Sequence, residues 1–275
     1  MTEKRVLTTG ANSGIGLATV IEVAKRGYRS VGSVRSEAKA DVVHKAAADA
    51  GVSSSVETVL LDVADAEQCE SVMSSIGPLY GLVNNAGYGV TGAVEDVADD
   101  EARAVIETMV VAPMRLARLA LPAMRAAGQG RIVNVSSIMG RTTTPFTGWY
   151  QASKHALEAV TDALRIEVAS AGVRVVLVEP GGFKTGIWEE LERDIAKRDG
   201  SPFMSAYRRS QQLMKLAEPV MGDPAQVARV IASVLGSRAP RARYLVGIDA
   251  NLLALGDRLT PTAVKDRLTR LGLGI

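Results

Sequence analysis

The sequence predicts an α/β protein built on one doubly wound, mostly parallel sheet with helices on both faces. Three observations carry this. Short apolar runs of strand type alternate with helical periods along the chain. The first run empties directly into a glycine-rich turn that opens a helix. No internal repeat or low-complexity linker divides the 275 residues, so residues 1–275 are expected to form a single domain.

The elements follow in order. Arg5–Thr9 is a buried strand, and Gly10-Ala-Asn-Ser-Gly14-Ile-Gly16 is the turn. The next helix carries Leu17, Val20, Ile21 and Ala24 on one side and closes before Gly27. Glycines let a backbone approach a pyrophosphate, whose charge then lies at the helix N-terminus. Tyr28–Val34 is the second strand, and Arg35-Ser36 follow it. In this architecture an acid about 20 residues past the glycine turn holds an adenosine ribose. Arg35 stands there instead, and a guanidinium suits a 2′-phosphate. This favours NADP(H), with NAD(H) as the alternative.

Residues 38–50 read as a helix and 56–63 as the third strand. Asp62 at its end is either a cofactor contact or the cap of a helix starting near Asp65. The fourth strand, Leu79–Val83, leads into Asn84-Asn85-Ala86-Gly87, whose two amides form a hydrogen-bonded brace. A long helical pattern from Asp100 to Arg125 contains Pro113, which predicts a bend. Arg131–Val135 is the fifth strand and ends in Ser136-Ser137. A helix from Trp149 to Ala171 buries Leu157, Val160, Leu164 and Val168. Val173–Val178 and Arg243–Ile248 are the sixth and seventh strands, with a helix opening at Asp223-Pro224 between them. From residue 251 to 275 short leucine-rich helices form a C-terminal extension.

Tyr150 and Lys154 lie four apart, so on a helix both project from one face. A phenol ionises at about 10, and a fixed cation beside it favours the phenolate. The pair is therefore a candidate proton-transfer unit. The 47% hydrophobic content supports a large core, and a formal charge of +2 gives no electrostatic claim on nucleic acid or a membrane surface. No apolar stretch is long enough to span a bilayer, no signal peptide is recognisable, and the one cysteine, Cys69, excludes an internal disulfide. A cytoplasmic protein is expected. His44 and His155 read as ordinary surface or packed residues, and no cluster has metal-ligand spacing.

With the glycine turn, Asn84-Asn85-Ala86-Gly87, Ser137 and Tyr150-x-x-x-Lys154 in this order, the chain resembles the short-chain dehydrogenase/reductase family up to about residue 185. The resemblance implies a seven-stranded Rossmann sheet with a nicotinamide cofactor across the strand ends. It implies catalysis by Tyr150 as proton exchanger, Lys154 as holder of the nicotinamide ribose, and Ser137 as partner of the substrate oxygen. The cofactor would meet Gly10, Asn12, Ser13, Gly14, Ile15 and Gly16 at the turn. Arg35, Asp62 and Val63 would face the adenosine end. Asn84, Ala86 and Gly87 would face the ribose region, and Pro180, Gly181 and Thr185 the nicotinamide. The family carries an asparagine in the helix before the fifth strand, where this chain has Met109, a weak acceptor that cannot donate.

Residues 186–217 are expected to form a substrate lid. Its apolar stripe of Ile187, Trp188, Leu191 and Ile195, with Phe203, Met204, Tyr207, Leu213 and Met214, either covers an apolar substrate or packs on the sheet or a second copy. With the long tail it looks like the steroid and retinol dehydrogenase branch. The expected function is an NADP(H)-dependent oxidoreductase acting on a hydrophobic alcohol or carbonyl compound, as a homodimer or homotetramer. The alternative is a cofactor-binding regulatory or scaffold protein whose turnover Met109 impairs.

Overall fold

The computed structural model describes residues 4–184, 193–217, 219 and 221–275. Seven strands form one sheet: β1 (Arg5–Thr8), β2 (Arg29–Val34), β3 (Val56–Leu60), β4 (Gly81–Asn84), β5 (Gly130–Val135), β6 (Val173–Pro180) and β7 (Arg243–Val246). Their order is β3-β2-β1-β4-β5-β6-β7. Every pairing is parallel, so the expectation of a mostly parallel sheet is met in full. The chain winds outward from β1 to β3, then restarts at β4 on the other side of β1. At that switch point the loops leaving β1 and β4 diverge and open a crevice.

Strand alternation sorts the core between the two faces. Leu7, Val31, Leu82 and Ile132 point to one side, against Cys69 and Met73 of α3 (Ala66–Ile76) and Leu116 and Met124 of α5 (Ala112–Ala126). Val6, Val83, Val133 and Val176 point to the other. There they meet Val23 of α1 (Gly14–Lys25) and Ile231 and Leu235 of α8 (Pro224–Gly236). These side chains are all but fully buried, each worth about 1.5–3 kcal/mol of transfer free energy. The remaining helices are α2 (Glu37–Asp49), α4 (Asp99–Ile106), α6 (Gly148–Glu167), α7 (Met204–Ala217), α9 (Ile248–Leu259) and α10 (Thr262–Leu273). Among the described residues no helix is long and apolar enough to cross a membrane.

Several boundaries differ from the sequence reading. The seventh strand stops at Val246, because Gly247 turns to φ +110° and Ile248 starts α9 with 83% of its surface exposed. The third stops at Leu60, so Asp62 and Val63 belong to the loop beyond it. The long helix is interrupted as expected, but by a π turn over Glu107–Val111 rather than a simple bend. Proline has no N–H, so Pro113 cannot donate to the Met109 carbonyl, and the ladder widens there. The widening turns Met109 inward, where it is 1% exposed.

Candidate active site

The glycine turn is built for close approach. Gly10 and Gly14 adopt φ of +67° and +50°, which side-chain-bearing residues rarely take. A Cβ on Gly16 would stand 2.1 Å from the Gly10 carbonyl oxygen, so only glycine fits. Ser13, the N-cap of α1, makes no side-chain cap bond, and the first turn carries no acid. Its N–H groups are thus left to an anion, and Asn12 and Ser13 flank them part-buried and exposed. Ile15 instead turns toward the core beneath.

The two amides after β4 divide the work. Asn85 holds the turn, its Nδ2 donating to the carbonyls of Thr9 at 2.9 Å and Gly10 at 3.3 Å. Thr9 Oγ1 accepts from the backbone N–H groups of Asn85 and Ala86 at 3.0 and 2.9 Å. Asn84 faces into the sheet and donates to Asn134 Oδ1 at 2.8 Å. Asn134 donates in turn to Thr161 Oγ1 of α6 at 2.8 Å. This buried amide chain ties β4 and β5 to α6. This role of Asn134 and Thr161 was not read from the sequence, although an asparagine inside an apolar strand is a usable signal. Gly87 packs against Met109, whose Sδ would lie 2.8 Å from a Cβ there.

Beyond β2 and β3, Arg35 is exposed and Asp62 is half-buried. The helix-cap alternative for Asp62 is excluded, because Asp65 caps α3 by accepting from Gln68 N. Asp62 Oδ1 accepts from Ala64 N at 3.0 Å and shapes the loop. Val63 is buried, with its carbonyl accepting from Arg115 Nη1 at 3.0 Å.

Ser137, Tyr150 and Lys154 converge at the carboxyl end of β5. Ser137 opens a 3-10 turn (Ile138–Gly140) and its Oγ accepts from Met139 N at 3.1 Å. α6 packs on that turn and carries Tyr150 in its first turn. Lys154 Nζ donates to the Val135 carbonyl at 2.9 Å and lies 5.7 Å from the Tyr150 ring centroid. Burial pushes the Lys154 ammonium down to about 8, against the opposing pull of Glu158. The start of α6 is locked by Gln151, whose buried amide bonds Thr144 and Thr147. Tyr150 and Trp149 rest on an apolar cluster that includes Val105 and Met109. His155 is exposed, with Nδ1 on the Gln151 carbonyl at 2.9 Å.

The loop after β6 is held from the C-terminal side. Gly181 N donates to the Val246 carbonyl at 2.9 Å, and Gly182 N donates to Asp249 Oδ2 at 2.5 Å. Asp249 would stand 2.3 Å from a Cβ on Gly181, which explains the glycine after Pro180. Thr185 lies outside the described residues, as do Ile187, Trp188 and Leu191 of the expected lid.

The described part of that segment is docked. Ile195, Phe203 and Tyr207 pack on Ala93 and Phe146 rather than presenting an open apolar face. Arg198 grips Glu101 with both Nη atoms at 2.7 and 3.0 Å, holding that carboxyl down at about 2. Asp194 Oδ2 accepts from Thr91 N at 2.8 Å, and the Tyr207 hydroxyl donates to Asp96. Leu213 remains 49% exposed.

A glycine-rich turn, an uncapped helix start and a basic residue past β2 together fit a dinucleotide. Comparison with known proteins agrees. Residues 4–196 match the family described as short chain dehydrogenase. The chain is 33% identical over 267 residues to the uncharacterized oxidoreductase YusZ of Bacillus subtilis, covering 95% of each. It is 31% identical over 283 residues to human retinol dehydrogenase 5, covering 95% of this chain and 86% of that one. The actinorhodin polyketide ketoreductase solved with NADPH superposes with a TM-score of 0.78 at 28% identity, covering 91% of this chain and 97% of that one. The chain belongs to the short-chain dehydrogenase/reductase family of NAD(P)-dependent oxidoreductases.

Proposed function

We propose that the protein is an NADP(H)-dependent oxidoreductase that interconverts a hydrophobic primary or secondary alcohol with its aldehyde or ketone, of steroid, retinoid or lipid type. The observation that carries this reading is the convergence of Ser137, Tyr150 and Lys154 at the end of β5. The bound nicotinamide supplies or accepts the hydride. Tyr150 moves the proton to or from the substrate oxygen as general acid or base. Ser137 Oγ hydrogen-bonds that oxygen as its charge changes. Lys154 holds a positive charge beside the phenol, which favours the phenolate.

NADP(H) is supported by Arg35, exposed past β2 where a ribose-binding acid would otherwise stand, and by the NADPH named with the actinorhodin ketoreductase. Arg35→Asp is expected to weaken NADPH binding by roughly tenfold or more while leaving NADH binding within a fewfold, because it removes a phosphate partner and adds a repelling charge. Fluorescence titration with both cofactors checks this, and equal effects on the two would refute the role of Arg35. The apolar substrate is supported by the retinol dehydrogenase relative.

A second reading rests on Met109, buried against Gly87 and near Tyr150 where the family has an amide. In that reading the protein binds cofactor but turns over poorly. NADPH oxidation across a panel of apolar ketones and aldehydes tests the first reading. Tight NADPH binding with no oxidation of any panel member, for the wild type and for Met109→Asn alike, would overturn it.

A further inference from the structure

Behind Lys154, on the side of β6 and β7, a group of ionic side chains surrounds two buried carboxylates. Glu158 lies one turn along α6 from Lys154 and is 7% exposed; Glu179, just before Pro180 in β6, is 0% exposed. Arg243 at the start of β7 donates its Nε–H to Glu158 Oε2 at 3.1 Å. The same nitrogen is 3.2 Å from Glu179 Oε1. With its hydrogen already committed, it gives Glu179 charge but no hydrogen bond. Arg141, after the 3-10 turn, stands 3.4 Å from Glu179 Oε2, also without hydrogen-bond geometry. Arg243 pairs with Asp162 as well.

Glu158, Glu179 and Asp162 therefore face the guanidiniums of Arg141 and Arg243, and Arg165 binds the other Asp162 oxygen at 3.0 Å. Both Glu179 oxygens, Glu158 Oε1 and Ser136 Oγ are buried without a hydrogen-bond partner among the described residues. Ser136 and Glu158 sit together against Gly140, where a Cβ would meet Ser136 Oγ at 2.8 Å and Glu158 Cγ at 3.1 Å. Buried acceptors without donors are relieved by a proton. The cation on the other side of Glu158 is Lys154, which feels its charge.

We propose that Glu179 is a proton-responsive positioning residue: its ionisation adds a second negative charge to that of Glu158 behind Lys154 and so sets how firmly Lys154 keeps its ammonium. This rests on the reading of Lys154 as the holder of the nicotinamide ribose. Burial and the Glu158 charge push the Glu179 carboxyl up to about 7, with Arg141 and Arg243 pulling the other way. Lys154 titrates in the adjoining range, at about 8. As pH rises, Glu179 loses its proton first, and the added negative charge delays the loss from Lys154. The cluster thus keeps a cation beside Tyr150 above neutral pH, with no contribution from the Met109 position.

The experiment is NADPH binding, followed by fluorescence from roughly pH 6 to 9, for wild type, Glu179→Gln, Arg141→Gln and Lys154→Met. Wild type and Glu179→Gln are expected to bind alike near pH 6, where the wild-type Glu179 carries its proton and is as neutral as the glutamine. Above about pH 8 the variant should bind roughly three- to tenfold more weakly, because its Lys154 is neutralised earlier. Arg141→Gln, at a largely solvent-facing site, keeps the proton on Glu179 to higher pH, so its affinity should fall away at lower pH than in wild type, as in Glu179→Gln. It decides the matter alone if Glu179→Gln does not fold. A constant ratio between Glu179→Gln and wild type across the range, or an unmoved transition in Arg141→Gln, overturns the proposal. Lys154→Met separates the two failures. Wild-type affinity in that variant sinks the reading of Lys154 itself, whereas weakened affinity beside a wild-type-like Glu179→Gln sinks only the role of Glu179.

Discussion

Tyr150→Phe is expected to lower NADPH-dependent reduction of any accepted apolar ketone by about 10²- to 10⁴-fold, the range of a lost general acid. The ring is kept, so packing on the cluster that contains Val105 and Met109 is preserved. Lys154 keeps its bond to the Val135 carbonyl, which does not depend on the phenol. NADPH affinity should therefore change by no more than about twofold, a loss confined to transition-state interactions. Single-turnover rates at saturating cofactor, paired with a binding titration, give both numbers. Full turnover in the variant would remove Tyr150 from the chemistry. Loss of rate and affinity together would show that the substitution disturbs the start of α6 instead.

The parts of the site that were legible in the sequence are those whose physics is local. Gly10–Gly16 announces itself because strand, turn and helix are consecutive, and Tyr150 and Lys154 because four residues make one helical turn. What was not legible depends on partners brought together by the sheet. Gln151 is placed by its own neighbours Thr144 and Thr147, yet its spacing carries no signal. Asn134 gains meaning only from Asn84, 50 residues earlier, and Asp249 only from Gly182, 67 residues earlier. Pro113 foretold an interruption but not the π turn that swings Met109 against Gly87. The 186–217 pattern foretold an apolar face that covers a substrate or packs on the protein, and in its described part the structure sets Ile195, Phe203 and Tyr207 against Phe146. Glu179 reads in the sequence as one more residue before Pro-Gly-Gly. Its weight comes from burial beside Glu158 and from Arg243, which arrives with β7 at the far edge of the sheet.

That dependence on Arg243 extends to the stability of the fold. Arg243→Leu leaves Glu158 and Glu179 buried without the cation that touches both. Breaking a buried ion pair from one side costs about 3–5 kcal/mol, since the remaining charge keeps its desolvation penalty. The pH dependence follows from Glu179. Its carboxyl is held up at about 7 in the folded protein, above the ordinary carboxylate value of 4.5. The folded state therefore binds the proton more tightly than the unfolded chain. The favourable contribution of that proton is fully present below the unfolded value and is lost as pH rises through about 7. Removing Arg243 pushes the folded value higher still and deepens the loss on the alkaline side. Urea unfolding should show the full deficit of the variant at about pH 8 and a clearly smaller one near pH 5, with an unchanged denaturant slope. An equal deficit at both pH values would mean that the variant suffers from lost packing alone, and that the carboxylates behind Lys154 do not exchange a proton in this range.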